Sequence, residues 1–104
     1  KDMIKTGGEN VASREVEEMI YRLGAVSEVA VIGLPDAKWV EAVTAIIVVK
    51  AGHALTEDEV IAHCNTHMAG FKAPKRVVFT EALPKNPSGK LLKRELRLKY
   101  AQQG

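Results

Sequence analysis

Lys90 closes the stretch Leu83-Pro84-Lys85-Asn86-Pro87-Ser88-Gly89-Lys90-Leu91, and its neighbours suit it to chemistry. Pro84 and Pro87 fix φ and remove backbone donors, so this stretch is neither helix nor central strand. Asn86, Ser88 and Gly89 complete a turn-rich loop. A stiff loop that presents one ammonium can set a point charge against a phosphate or a carboxylate. A surface turn with a solvated lysine is the competing reading of the same residues. The stretch is not a P-loop: the first glycine of GxxxxGK[ST] is missing, and Leu91 stands where Ser or Thr belongs.

Three further groups of residues invite a chemical reading. Gly7 and Gly8 adopt φ > 0 easily and would let a ligand approach the backbone closely, although a plain turn explains a Gly-Gly pair equally well. Phe71 lies beside Lys72, an arrangement in which a ring stacks on a base while cations hold phosphate. Ordinary packing of Phe71 is the alternative. His63 and His67 stand at i, i+4 beside Cys64, but no further ligands accompany them and the glutamate of HExxH is missing. We read them as ordinary surface histidines and expect no metal site.

The elements that must carry these residues follow from the pattern. Met3 to Val11 predicts a β-hairpin around Gly7-Gly8. Ser13 is a candidate N-cap for a helix in which Val16, Met19, Ile20 and Leu23 form the buried stripe and Gly24 ends the run. Val29 to Ile32 predicts a buried strand, and the β-branched run Ala42 to Val49 a second, central one. Between them, Gly33 to Glu41 reads as a connection in which Trp39 either covers the core edge or touches a ligand. Thr56 and Glu59 form a capping box, Val60, Ile61, Cys64 and Met68 follow as an apolar face, and Gly70 closes that helix. Arg76 to Phe79 predicts a third strand, and a basic helix runs from Leu91 to Tyr100. The expected fold is a single α+β domain over residues 1–104, with a mainly antiparallel sheet of about three strands covered by helices and an N-terminal hairpin.

Bulk properties narrow the function. The 104 residues suffice for one domain with a modest core. One cysteine, Cys64, excludes an intrachain disulfide and fits a reducing, cytoplasmic setting. No stretch is apolar enough to span a bilayer, and we expect no signal peptide. The opening KDMIK reads as the middle of a longer protein. From Lys72 to Lys99, nine basic residues face only Glu81 and Glu95, although the net charge is just +2. Such asymmetry suits an anionic ligand or a nucleic acid, and equally a solvated helix face.

The loop PKNPSGK resembles the C-terminal lysine motif of the adenylate-forming acyl-CoA synthetase superfamily, which includes acyl- and aryl-CoA ligases, luciferases and peptide-synthetase adenylation domains. KDMIKTGGENVASREVE resembles a second motif of that family. VAVIGLPDAKWVEAV and MAGFKAPKRV resemble two more, in the expected order, so the resemblance spans nearly the whole chain. Val40 departs from it, standing for a glycine common after the tryptophan. Ser13 sits where many members have proline.

The resemblance implies the mobile C-terminal domain of a ligase whose N-terminal adenylation domain is absent here. Such an enzyme joins a carboxylic acid to ATP, then passes the acyl group to CoA and releases AMP. It implies Lys90 as the catalytic residue and Lys1 as the hinge. It implies that Gly7 and Gly8 line the tunnel for the pantetheine arm of CoA and that Phe71 meets the CoA adenine. Ala73 offers no charge, so a phosphate contact would come from Lys72, Lys75 or Arg76. Mg2+ would accompany ATP in the full-length enzyme, with no cofactor held by this domain alone. The acyl specificity leans towards fatty or aryl acids. The alternative from a different class is a stand-alone basic module that binds nucleic acid or serves as a structural interaction domain.

Overall fold

The computed structural model describes residues 2–101; Lys1, the expected hinge, lies outside the described residues. The chain opens with strand β1 (Met3–Thr6) and strand β2 (Glu9–Ala12), paired from Met3↔Ala12 to Thr6↔Glu9. The two residues between them, Gly7 and Gly8, have φ of +56° and +85°. Positive φ at both positions is what a two-residue type I′ loop requires, and glycine reaches it without a Cβ clash.

Helix α1 (Ser13–Tyr21) follows directly. Ser13 is not its N-cap: Ala12 is, without a side-chain bond, and Ser13 is the first helical residue. Its hydroxyl instead donates to the Asp2 carbonyl at 3.3 Å, as does its N–H at 3.0 Å. That backbone carbonyl competes for the hydroxyl that would otherwise have capped the helix.

Strands β3 (Val26–Asp36) and β4 (Val40–Val49) form a long antiparallel pair. The expected connection from Gly33 to Glu41 is mostly strand, and only Ala37, Lys38 and Trp39 join the two. Pro35 did not end β3, because β3 is an edge strand and an edge tolerates a residue without an N–H. Helix α2 (Glu57–His67) carries the expected capping box, with the Thr56 hydroxyl accepting from Glu59 N–H and the Glu59 carboxylate from Thr56 N–H. It ends at His67, and Gly70 opens a short 3-10 turn to Lys72. Strand β5 (Arg76–Phe79) runs parallel to β4. Helix α3 (Lys93–Ala101) begins two residues later than expected, because Leu91 is held in a bridge to Lys85.

All five strands make one mixed, mainly antiparallel sheet, and the hairpin joins it through Thr6↔Val40. Alternation along the strands divides the core. Val29, Val31, Val43, Ala45 and Ile47 face Val16, Ile20, Val60 and Cys64 of α1 and α2. Ala30, Ile32, Leu34 and Ile46 face Leu83 and, from α3, Leu96 and Tyr100. A sheet buried on both faces explains why β4 reads as a continuous apolar run. The edges are covered by helix side chains. Glu17 accepts from Val31 N–H at 2.8 Å, Tyr21 from Val29 N–H at 3.3 Å, and Glu57 from Val77 N–H at 3.0 Å. These contacts blunt unpaired strand donors that would otherwise invite a foreign strand. Among the described residues no helix is long and apolar enough to cross a membrane.

Candidate functional site

The loop before α3 is built around one side chain. Asn86 Oδ1 accepts from the N–H of Ser88 at 3.0 Å, the hydroxyl of Ser88 at 2.8 Å and the N–H of Lys90 at 2.9 Å. Asn86 N–H donates to the Lys90 carbonyl at 2.9 Å, and Gly89 N–H to the Asn86 carbonyl at 2.9 Å. Gly89 makes the reversal at φ +89°. The two ends are fixed as well: Leu83 is buried in the α3-side core, Leu91 packs against it, and Leu92 N–H donates to the Pro84 carbonyl at 2.9 Å. Lys90 is exposed, and its ammonium makes no hydrogen bond or ion pair among the described residues. The backbone of this lysine is therefore held at both N–H and C=O while its charge faces outward. Asn86 as an organiser was not read from the sequence beyond its turn preference; an Asx residue four before the lysine was the available signal.

The hairpin tip offers the reverse. Gly7 N–H donates to the Trp39 carbonyl at 2.8 Å, and a Cβ on Gly7 would stand 3.0 Å from Trp39 Cε3. Gly7 is thus required twice, by its φ and by the indole. A Cβ on Gly8 would meet nothing within 4 Å, so the backbone there is open to an incoming group. Trp39 covers the inner glycine and is flanked by the ammonium groups of Lys38 and Lys75, at 5.0 and 4.8 Å from its ring. Burial holds the Lys75 ammonium below the usual lysine range. Its Nζ also donates, at 3.4 Å, to the carbonyls of Gly70 and Ala73, so Trp39 and Lys75 link the hairpin tip to the segment that carries Phe71.

Phe71 is 37% exposed, with Lys72 Nζ 5.9 Å from its ring. Lys72 pairs with Glu15 of α1 at 2.9 Å, so its charge is engaged within the chain. An exposed pair of this kind contributes at most about 1 kcal/mol and yields readily to a competing anion. Other cations of the basic half are engaged too: Lys85 with Glu28, Lys93 with Asp2 and Glu17, Arg97 with Asp2. Four of the nine basic residues from Lys72 to Lys99 are thus matched in space by carboxylates from the first third of the chain.

His63 Nε2 lies 2.9 Å from the Met19 carbonyl and His67 Nδ1 2.9 Å from the His63 carbonyl, which occupies both rings in local bonds. Among the described residues no three His, Cys, Asp or Glu side chains are arranged to hold a metal ion. Cys64 is buried, and burial pushes its thiol up to about 11, which keeps it protonated and inert.

An Asx-organised lysine loop and an open glycine hairpin on one small α+β sheet define a class. The chain belongs to the AMP-binding enzyme C-terminal domain family, whose pattern matches residues 15–90 and ends on Lys90. It is 50% identical over 101 residues to the long-chain-fatty-acid–CoA ligase FadD13 of Mycobacterium tuberculosis, covering 97% of this chain and 20% of that protein. It is 45% identical over 100 residues to a feruloyl-CoA synthase of Amycolatopsis, covering 96% of this chain and 20% of the relative. Its backbone matches apo MatB from Rhodopseudomonas palustris with a TM-score of 0.95 at 41% identity, over 99% of this chain and 21% of that one. The chain therefore spans about a fifth of the length of the curated relatives it matches. Family membership disposes of the stand-alone basic module.

Proposed function

We propose that this chain is the mobile C-terminal domain of an ATP-dependent acyl-CoA ligase, and that Lys90 is its catalytic residue for adenylate formation. The observation that carries the reading is the Asn86-centred loop, which fixes the Lys90 backbone and leaves its ammonium without a partner among the described residues. In the first step a carboxylate oxygen of the acid attacks the α-phosphorus of ATP, a P–O bond forms, and the bond to the β-phosphate breaks to release pyrophosphate. Negative charge is redistributed over the α-phosphate oxygens. A positioned ammonium stabilises that arrangement more than the ground state, which is the requirement for catalysis. Mg2+ accompanies ATP in the larger N-terminal domain, the partner that also holds the acid.

In the second step the CoA sulfur attacks the acyl carbonyl, the thiol proton leaves, and AMP departs. The domain presents Gly7 and Gly8 to the pantetheine arm in this step, with Phe71 at the adenine and Lys72 released from Glu15 towards a phosphate. Rotation about Lys1 exchanges the two arrangements. Fatty or aryl acids are the substrate class, in line with the long-chain-fatty-acid and feruloyl ligases among the relatives. We place the enzyme in the cytoplasm, where ATP and CoA are available and a buried thiol stays reduced.

ATP–pyrophosphate exchange by the intact ligase across a panel of carboxylic acids tests the reading. Exchange should occur with a fatty or aryl acid and fall roughly 10²- to 10³-fold in Lys90→Ala, the scale of one lost transition-state donor. Undiminished exchange in that variant would rule out the role given to Lys90.

A further inference from the structure

The first residue of α3 sits in a charged clasp. Lys93 Nζ lies 2.7 Å from Glu17 Oε2 and 3.1 Å from Asp2 Oδ2, and it donates to Ser13 Oγ at 3.2 Å. Its side chain is only 16% exposed and that of Glu17 only 18%. The same Glu17 oxygen accepts from Val31 N–H of β3. Asp2 is fixed on every acceptor it has: its carbonyl by the N–H and hydroxyl of Ser13, Oδ1 by Arg97, and Oδ2 by Lys93. Desolvation raises the Asp2 carboxyl, but the neighbouring Lys93 and Arg97 outweigh it and hold the group below the ordinary aspartate range.

We propose that Lys93 is a positioning residue for Lys90: clasped by Asp2 and Glu17, it pins the downstream end of the catalytic loop to α1 and to the residue where the chain enters the domain. The inference rests on the function proposed above. Only Leu91 and Leu92 separate Lys90 from this anchor, and Lys85, paired with Glu28 of β3, anchors the upstream end. The upstream pair is more exposed, at 41% and 36%, so the clasp at Lys93 is the stiffer of the two. Because Asp2 follows the residue read as the hinge, the clasp also makes the loop and the entering chain one rigid piece. Rotation of the domain then carries Lys90 without loosening it.

The test uses the intact ligase and a double-mutant cycle. Lys93→Met keeps the aliphatic stem and removes the charge. It should slow adenylation about tenfold through misplacement of Lys90, with KM for ATP and acid within about twofold of the parent. Lys93→Arg should recover most of the rate. In a Lys90→Ala background Lys93→Met should cost nothing further, since it acts only through that lysine, and coupling of this kind is what a double-mutant cycle isolates. A parental rate in Lys93→Met overturns the proposal, and so does a loss that multiplies with that of Lys90→Ala. If Lys93→Met is too unstable to assay, Asp2→Asn carries the same cycle, with an expected loss of about threefold that Lys90→Ala absorbs. No loss, or a multiplying loss, in that cycle overturns it equally. If Lys90→Ala itself adenylates normally, the proposed function fails instead, and the two failures are told apart.

Discussion

Two glycine-bearing loops of this domain are built on opposite plans. At the hairpin tip, backbone pairing between β1 and β2 holds the turn, and Gly8 presents bare main chain with nothing within 4 Å of a would-be Cβ. At the Asn86–Lys90 loop no strand ladder is available, and a side-chain carboxamide replaces it by accepting three hydrogen bonds. The first loop offers space and the second offers charge. A thin pantetheine arm needs a passage without side chains, whereas a phosphate under attack needs a cation held still. The difference in construction matches the difference in the tasks proposed above, and it exposes the two loops to different mutations.

Asn86→Ala should have the largest effect of the substitutions that leave Lys90 in place. Three donors lose their acceptor, and Lys90 loses the bond that fixes its N–H. Adenylation in the intact ligase should fall roughly 10- to 100-fold, as expected when a catalytic group is displaced by about an ångström. Normal adenylation by Asn86→Ala would mean that the loop does not need its organiser. Next is Gly8→Leu, whose side chain would fill the open approach and strain a positive φ. CoA transfer from preformed acyl-adenylate should slow by about tenfold or more while adenylation changes by less than about twofold.

Val40 sharpens the comparison from the stability side. It has φ of +71° and is 69% exposed, a left-handed conformation in a β-branched residue beside the hairpin tip. The family resemblance implies a glycine at this position, and the backbone here adopts the conformation that glycine favours. Val40→Gly should stabilise the chain by roughly 1 kcal/mol. A rise in the thermal midpoint of about 4–8 °C is the corresponding signal for a domain of this size. An unchanged or lower midpoint would show that the strain is relieved elsewhere.

The smallest effect is pH-dependent. The Asp2 carboxyl is held below its ordinary value of 3.8, so its contribution to stability is present above that value and lost as pH falls through the lowered folded-state value. Asp2→Asn should therefore be less stable than the parent at neutral pH, and the two midpoints should converge below about pH 4. A gap that persists into strong acid would assign the effect to something other than the charge.

Much of this molecule could be read from the sequence where the cause is local. Gly7 and Gly8 announced their turn because the primed turns that close so short a hairpin need positive φ, which glycine supplies. Thr56 and Glu59 announced their capping box because both partners lie within one helical turn. Lys90 stood out because two prolines, a glycine and two turn-forming polar residues surround it. What escaped depends on residues far apart in the chain. Ser13 looked like a cap until the Asp2 carbonyl took its hydroxyl. The basic half reads as unbalanced, but folding pairs Lys72, Lys85, Lys93 and Arg97 with Glu15, Glu17, Glu28 and Asp2, and one of those pairs joins residues 95 apart. Pro35 looked like a strand end because nothing in its neighbours says that β3 lies at the sheet edge.

The most direct measurement of the division between the loops is a crossed half-reaction assay on the intact ligase. Lys90→Ala and Gly8→Leu, each first shown to melt near the parent, are assayed separately for adenylate formation and for thioester formation from preformed acyl-adenylate. Lys90→Ala should lose adenylation by roughly 10²- to 10³-fold and keep near-normal thioester formation, while Gly8→Leu keeps the first and loses the second. If both folded variants lose both half-reactions to the same extent, the two loops do not serve separate steps and the account is wrong.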